Sequence, residues 1–157
     1  MTSCSASTEQ DGNHVCEKAF DGNLDNWATK GEGVGAWIKV NFDGSNRVTR
    51  VMVLPRERDA AADGMFKDIK LEFQDMSTAV FTLSNAYEWN EIKLTGSHIS
   101  SYVKITATSV YSQINNGFAE LQVFGCPSGT RAEFEFIKYP NYIIRLHRTF
   151  LPYCDIF

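Results

Sequence analysis

The stretch 36-AWIKVNF-42 decides the class of fold. Ile38, Val40 and Phe42 alternate with Trp37, Lys39 and Asn41, a repeat of two that fits a strand with one apolar and one wet face and does not fit a helix. The same alternation runs through 68-DIKLEF-73, where Ile69, Leu71 and Phe73 form the apolar stripe, and through 102-YVKITATSV-110, where Val103, Ile105 and Ala107 do. Shorter runs of this kind are 48-VTRVMVL-54, 79-AVFTL-83, 91-EIKLT-95 and 119-AELQVF-124. Turn formers separate them at 43-DGSN-46, 75-DMS-77, 84-SNA-86, 96-GS-97 and 115-NNG-117, as expected where chain direction reverses. Seven or eight short strands at roughly ten-residue spacing predict a β-sandwich or barrel. The one helix-compatible patch, 56-RERDAAADGMF-66, is short and ends at Gly64, and it reads as a loop with a helical turn.

A chain of 157 residues gives room for one domain with one sizeable core. Apolar residues make up 43% and aromatics 13%, a composition able to bury a core. The formal charge of −4 argues against a general nucleic-acid binder and leaves neutral ligands open. No apolar run approaches the ~18–20 residues needed to cross a bilayer, and the opening MTSCSAST lacks a charged-then-apolar signal. The four cysteines, Cys4, Cys16, Cys126 and Cys154, form no CxxC pair and no zinc-type spacing with histidine. Their even number in a β-rich chain leans towards disulfides and an oxidising compartment. Spacing alone does not choose among the possible pairings. Composition changes at 127-PSGTRAE-133, which marks residues 1–126 as the domain and 127–157 as a linker and tail. That tail, aromatic but without clear alternation, adds a strand, covers an edge or is foreign to the natural chain.

Nothing supports an enzyme. His14, His98 and His147 lie in no recognisable motif, there is no G-x-S-x-G, and the acidic residues are scattered. Gly31, Gly33 and Gly35 form G-x-G-x-G, but they lead into a strand and not a helix, so they read as backbone hinges and not as a phosphate loop. The stretch 18-KAFDGNLDN-26 is a better candidate site. Gly22 lets the backbone turn, Asp21 supplies a hard carboxylate oxygen, and Asn23, Asp25 and Asn26 add further oxygens. Calcium takes about six to eight such oxygens, and short irregular loops supply them. Without an ion, the same residues make an Asx turn. Glu120, in 118-FAELQVFG-125, points away from the Leu121 and Val123 face. If this strand lies beside the 18–26 loop, Glu120 brings a second carboxylate, which needs a cation or strong hydrogen bonds.

Taken in order, AFDGNLDNWATKGEGVGAWIKVNF, RVTRVMVLPRER, FKDIKLEF and SSYVKITATSVYSQINNGFAELQVFG resemble the discoidin-like (coagulation-factor C-type) domain, over about residues 3–126. The resemblance implies an all-β, galactose-binding-like jelly-roll sandwich of about eight antiparallel strands. It also implies a structural calcium ion held by the carboxylates of Asp21 and Glu120 and by the carbonyls of Lys18, Asn23 and Ala119. The family often has a Thr after the D-G turn. Here the loop is one residue shorter before Trp27, and Asn26 stands nearest that place. Members often join the first and last strands by a disulfide, which implies Cys4–Cys126, with Cys4–Cys16 as its rival across the short loop 5-SASTEQDGNHV-15.

Family ligands bind on loops at one end of the sandwich. The loops available are 27-WATKGEGVG-35, 55-PRERDAAADGMF-66, 85-NAYEWN-90 and 109-SVYSQINNG-117. Reading a sugar needs an aromatic platform and planar hydrogen-bonding groups. Arg56 and Arg58 stand where members often keep a sugar-binding Arg, Tyr111, Asn115 and Asn116 offer an aromatic ring and amides, and Trp27 or Trp89 would stack. Trp37 reads as core packing. The expected function is non-catalytic glycan binding, lectin-like recognition or adhesion by a secreted or cell-surface protein. The alternatives are protein–protein adhesion at a cell surface and binding to an anionic membrane, with Met65 and Phe66 as an apolar spike. The balanced charge around that pair weakens attraction to anionic lipid.

Overall fold

A computed structural model describes residues 3–23, 25–56, 64–112 and 114–128, together with the backbone of two strands further on. The elements are β1 (Ser3–Ala6), a 3-10 turn (Cys16–Phe20), β2 (Trp27–Ala28), β3 (Trp37–Pro55), β4 (Asp68–Glu72), β5 (Thr78–Thr82), β6 (Asn90–Ala107), β7 (Gly117–Pro127), β8 (Glu135–Tyr139) and β9 (Tyr142–Leu146). The alternating stripes read from the sequence all face the core: Ile38, Val40 and Phe42, Ile69, Leu71 and Phe73, Val103, Ile105 and Ala107, and Leu121 and Val123. Trp37 does not. It is half-buried on the outward face, with the Lys104 ammonium 5.0 Å from its ring. Strand parity puts it beside Lys39 and Asn41, and parity overrides its bulk.

Two of the expected turns do not end their strands. β3 and β6 pair antiparallel all the way from Trp37↔Thr106 to Val53↔Asn90, with register shifts between Asn41 and Asn46 and between Val48 and Arg50. Gly44 (φ 68°) and Gly96 (φ 94°) take the left-handed backbone that bends a ladder without breaking it. The bent ribbon gives a strand to each layer. Its first half pairs with β1 (Ser5↔Lys39) and, through β6, with β4 (Leu71↔Ile105). β5 is added outside β4 (Leu71↔Ala79). The other half of β3 pairs with β7 (Val51↔Val123), and β7 with β2 (Trp27↔Phe118). Val51, Val53, Leu121 and Val123 from one layer meet the inward stripes of the other in a single core. The start of β3 and the end of β6 therefore lie at the same end of the sandwich as the end of β3 and the start of β6, and the bends lie at the opposite end.

The Cys4–Cys126 pairing is corrected. Cys4 bonds to Cys16, with Cα atoms 6.1 Å apart. The 3-10 turn packs back against β1, so the residue twelve positions on is the nearer partner. Cys126 is itself disulfide-bonded, and Cys154 lies outside the described residues. The tail holds a hairpin, with β8 and β9 paired to each other from Glu135↔Leu146 to Tyr139↔Tyr142.

Candidate functional site

The first cluster forms where the 3-10 turn ends. Asp21 closes that turn (φ −90°, ψ −2°), and Gly22 follows at φ 72°. Asp21 Oδ1 accepts the Asn23 N–H at 2.9 Å, the Asx turn expected there. Its Oδ2 meets the Lys18 ammonium at 3.2 Å, and the same ammonium reaches Asp25 Oδ2 at 2.7 Å. Burial opposes ionisation of Asp21, yet the Asn23 amide and the Lys18 ammonium hold its carboxyl below the usual range.

Glu120 sits in β7 opposite Leu54. It is only 6% exposed, because β2 and the 3-10 turn cover the start of β7. The Gly22 amide and the Asp21 carboxylate both lie near enough to act on its charge, so the structure does bring Glu120 to the Asp21 turn. Burial and then the Asp21 charge push its pKa up to about 7, against the pull of that amide. Glu120 Oε2 is buried without a hydrogen-bond partner, and so is Asn26 Oδ1. One register step beyond Trp27↔Phe118 places Asn26 beside Ala119. Two ionisable carboxyls and two buried orphan oxygens at one turn suit a hard cation that takes oxygen ligands. This residue set fits calcium.

The second cluster is the loop end. Asn115, at φ 45°, is its centre. Its carbonyl accepts from Arg56 Nη1 at 2.9 Å, and its Oδ1 accepts the Gly31 N–H at 3.2 Å. Next to it, the Asn116 carbonyl accepts the Thr29 N–H at 2.8 Å, and Asn116 Nδ2 donates to the Glu32 carbonyl at 3.1 Å. The Gly64 N–H donates to the Ile114 carbonyl, and the Tyr111 N–H donates to the Met65 carbonyl at 2.8 Å. Loops 29–35, 64–66 and 110–116 are thereby fastened together, with Arg56 fixed to the same group. Tyr111 also donates its hydroxyl to the Leu83 carbonyl at 2.9 Å.

These contacts sort the expected ligand residues. Tyr111 is 38% exposed and Asn115 is half-buried, so both face solvent. Arg56 is 7% exposed and braces the Asn115 carbonyl from inside. Arg58 lies outside the described residues. Two expectations are corrected. Trp27 has no exposed surface. Its indole N–H donates to the Thr8 carbonyl at 3.1 Å, and its ring packs 5.8 Å from Phe118 and 6.1 Å from Phe66. Parity in β2, with 7–15 laid over it, turns it inward. Asn116 is also fully buried and commits its amide to loop 29–35. The membrane spike is corrected too, since Met65 and Phe66 are 3% and 2% exposed and belong to the interior. Trp89, the other expected stacking residue, is 40% exposed, and the exposed Tyr87 beside it was legible only as an aromatic in a turn-rich stretch.

Residues 1–124 match the family described as "Domain of unknown function (DUF7402)". No curated protein matches the chain. Among solved structures, the fold is similar to that of the family 32 carbohydrate-binding module of C. perfringens NanJ, in complex with galactose. The identity there is 20% and the TM-score 0.65, over 77% of this chain and 91% of that one. It is also similar to a Clostridium perfringens family 32 module in complex with GalNAc-β-1,3-galactose (20% identity, TM-score 0.65, 77% and 93% covered). A third is chitosan-binding module 2 of a chitosanase/glucanase from Paenibacillus sp. IK-5, in complex with chitotriose (18% identity, TM-score 0.62, 77% and 94% covered). At these identities the likeness is one of fold. The chain belongs to the DUF7402 family, and its fold is the β-sandwich of these carbohydrate-binding modules.

Proposed function

We propose that this domain is a non-catalytic glycan-binding module that takes its ligand at the loop end and is stiffened by a structural calcium ion. The observation that carries the reading is the clasp around Asn115. Arg56 and Gly31 use its two acceptor oxygens, so the amide Nδ2 is left to donate to a sugar hydroxyl. Beside it the Tyr111 ring is partly bare, with the Lys67 ammonium 5.9 Å from its centroid. A pyranose has an apolar C–H face for such a ring and an equatorial hydroxyl edge for such an amide. Arg56 acts through Asn115 as a positioning residue. The three similar structures named above, each a module in complex with a sugar, support this reading.

Calcium would be held by the Asp21 and Glu120 carboxylates, the Asn26 amide oxygen and the carbonyls of Lys18, Asn23 and Ala119. When bound, the ion supplies positive charge that lets the buried Glu120 stay ionised. The Cys4–Cys16 disulfide fits a secreted or cell-surface setting. Among the described residues no helix is long and apolar enough to cross a membrane.

A glycan array probed with the wild-type chain, Tyr111→Ala and Asn115→Ala tests the site. Wild-type signal on a defined sugar set, lost in both variants at a temperature where circular dichroism shows each still folded, is expected. Absence of any glycan signal, with binding to anionic liposomes instead, would overturn it in favour of a membrane role. For the ion, thermal melting is compared with calcium and with chelator. An unchanged wild-type midpoint, equal to that of Asp21→Ala, removes calcium from the account.

A further inference from the structure

The exposed aromatic side chains among the described residues are Tyr87 (41%), Trp89 (40%) and Tyr111 (38%). All three lie at the loop end, and none lies at the end where Gly44 and Gly96 bend the ribbon. Tyr87 and Trp89 belong to loop 84–89, which runs from β5, the edge of one layer, to β6, at the edge of the other. That loop is closed by its own hydrogen bonds. The Ser84 N–H donates to Asn90 Oδ1 at 2.8 Å, Asn90 Nδ2 donates to the Glu88 carbonyl at 2.9 Å, and the Glu88 N–H donates to the Ala86 carbonyl at 2.9 Å. Tyr111 is tied to the base of the same loop through its hydroxyl and the Leu83 carbonyl. Trp89 and Tyr111 therefore stand on fixed backbone, so little ordering is left for a ligand to impose.

Leu83 follows the edge strand of one layer, and Asn90 opens the edge strand of the other. The Ser84 N–H bond to Asn90 Oδ1 holds the two strand ends together there, and the three bare rings, Tyr87, Trp89 and Tyr111, offer more stacking surface than one pyranose covers. Bare aromatic surface gathered at one place marks a binding site. We propose that loop 84–89 is a second sugar subsite, so that the domain takes an extended stretch of a β-linked glycan chain and not a single terminal sugar. This rests on the glycan-binding reading above and adds to it the class of ligand. One ring of the chain stacks on Tyr111 beside the Asn115 amide, and a ring further along stacks on Trp89. Equatorial β-linkages suit this, because they leave flat C–H faces along the chain.

The test is a glycan array carrying galactose, N-acetylglucosamine, GalNAc-β-1,3-galactose, chitotriose and longer β-linked oligomers. It is probed with wild type, Trp89→Ala, Trp89→Phe and Tyr111→Ala, each checked by circular dichroism melting. Wild type is expected to favour the oligomers. Trp89→Ala should weaken oligomer binding at least about tenfold and leave any monosaccharide binding unchanged, and Trp89→Phe should restore most of the loss. A Trp89→Ala profile identical to wild type, or equal wild-type binding to a monosaccharide and its oligomer, overturns the subsite and leaves the glycan-binding reading standing. No wild-type signal on any glycan overturns both. A Trp89→Ala chain that loses self-association by sedimentation and keeps its glycan profile shows that the patch docks a second copy, which also overturns the subsite.

Discussion

Glu120 is the most instructive single residue. Its carboxyl has a folded-state pKa of about 7 against an ordinary 4.5. Between those values the folded chain binds more protons than the unfolded one, so stability of the calcium-free protein falls as pH rises from about 4.5 to about 7 and levels off above. The loss is on the order of 2–3 kcal/mol. Glu120→Gln should abolish this slope in chelator, and saturating calcium should abolish it in the wild type. Melting curves in chelator from pH 4.5 to 8 check both, and an equal slope in Glu120→Gln would assign the effect to another group. Gly64 makes a steric point at the same scale. A methyl there would lie 2.6 Å from Asn116 Oδ1 and 2.5 Å from the Ile114 carbonyl. Gly64→Ala should therefore destabilise by about 1–3 kcal/mol and weaken glycan binding together with stability, read as a lower melting midpoint and a fainter array signal.

At the scale of elements, what was legible followed from parity. Every long alternating run became a strand with its stripe inward, because burial of one face fixes register wherever a strand is long enough to show the repeat. The unread parts lie where parity is silent. β2 is two residues long, too short to tell which way Trp27 points, and an exposed platform and a core tryptophan look alike there. The bends at Gly44 and Gly96 looked like turns because glycine marks both, and only pairing on either side tells them apart. Cysteine pairing depends on how the 3-10 turn folds back on β1, which the residue pattern does not encode. Of the site, the Asp21–Glu120 meeting was readable as soon as β7 was set beside the loop. The inward turn of Arg56 and Asn116 was not, since it depends on contacts among three loops. The disulfide itself gives a prediction. Replacing Cys4 and Cys16 together by Ser releases a loop of separation 12 and should lower stability by about 3 kcal/mol, which is a fall in midpoint of roughly 6–12 °C. Calorimetry of the double variant measures it, and a midpoint within about 2 °C of wild type would mean that packing alone holds the 3-10 turn on β1.

Across the whole molecule, the Asp21 turn, proposed to hold the ion, and the loops proposed to take the glycan are joined in sequence by four residues. Asn26 leads into β2, where Trp27 pairs with Phe118 and Ala28 with Gly117, and the Thr29 N–H then donates to the Asn116 carbonyl. A turn that frays at Asp21 frees the start of β2, and β2 leads straight into the Thr29 N–H that holds the Asn116 carbonyl and the Gly31 N–H that holds Asn115 Oδ1. Calcium should thus act on affinity as well as on stability, although no sugar touches it. At a hundred times its dissociation constant it should add about 2.7 kcal/mol to folding, or roughly 5–10 °C in midpoint. Chelation should weaken glycan binding several-fold at a temperature where the apo chain is still folded, and Asp21→Ala should bind as the chelated wild type does. Isothermal titration of a glycan found on the array, with calcium and with chelator, decides the point. Equal affinities in the two conditions, alongside a calcium-dependent midpoint, would mean that β2 holds its place through the Trp27 core contacts alone. The ion turn and the ligand end would then be energetically independent despite sharing a strand.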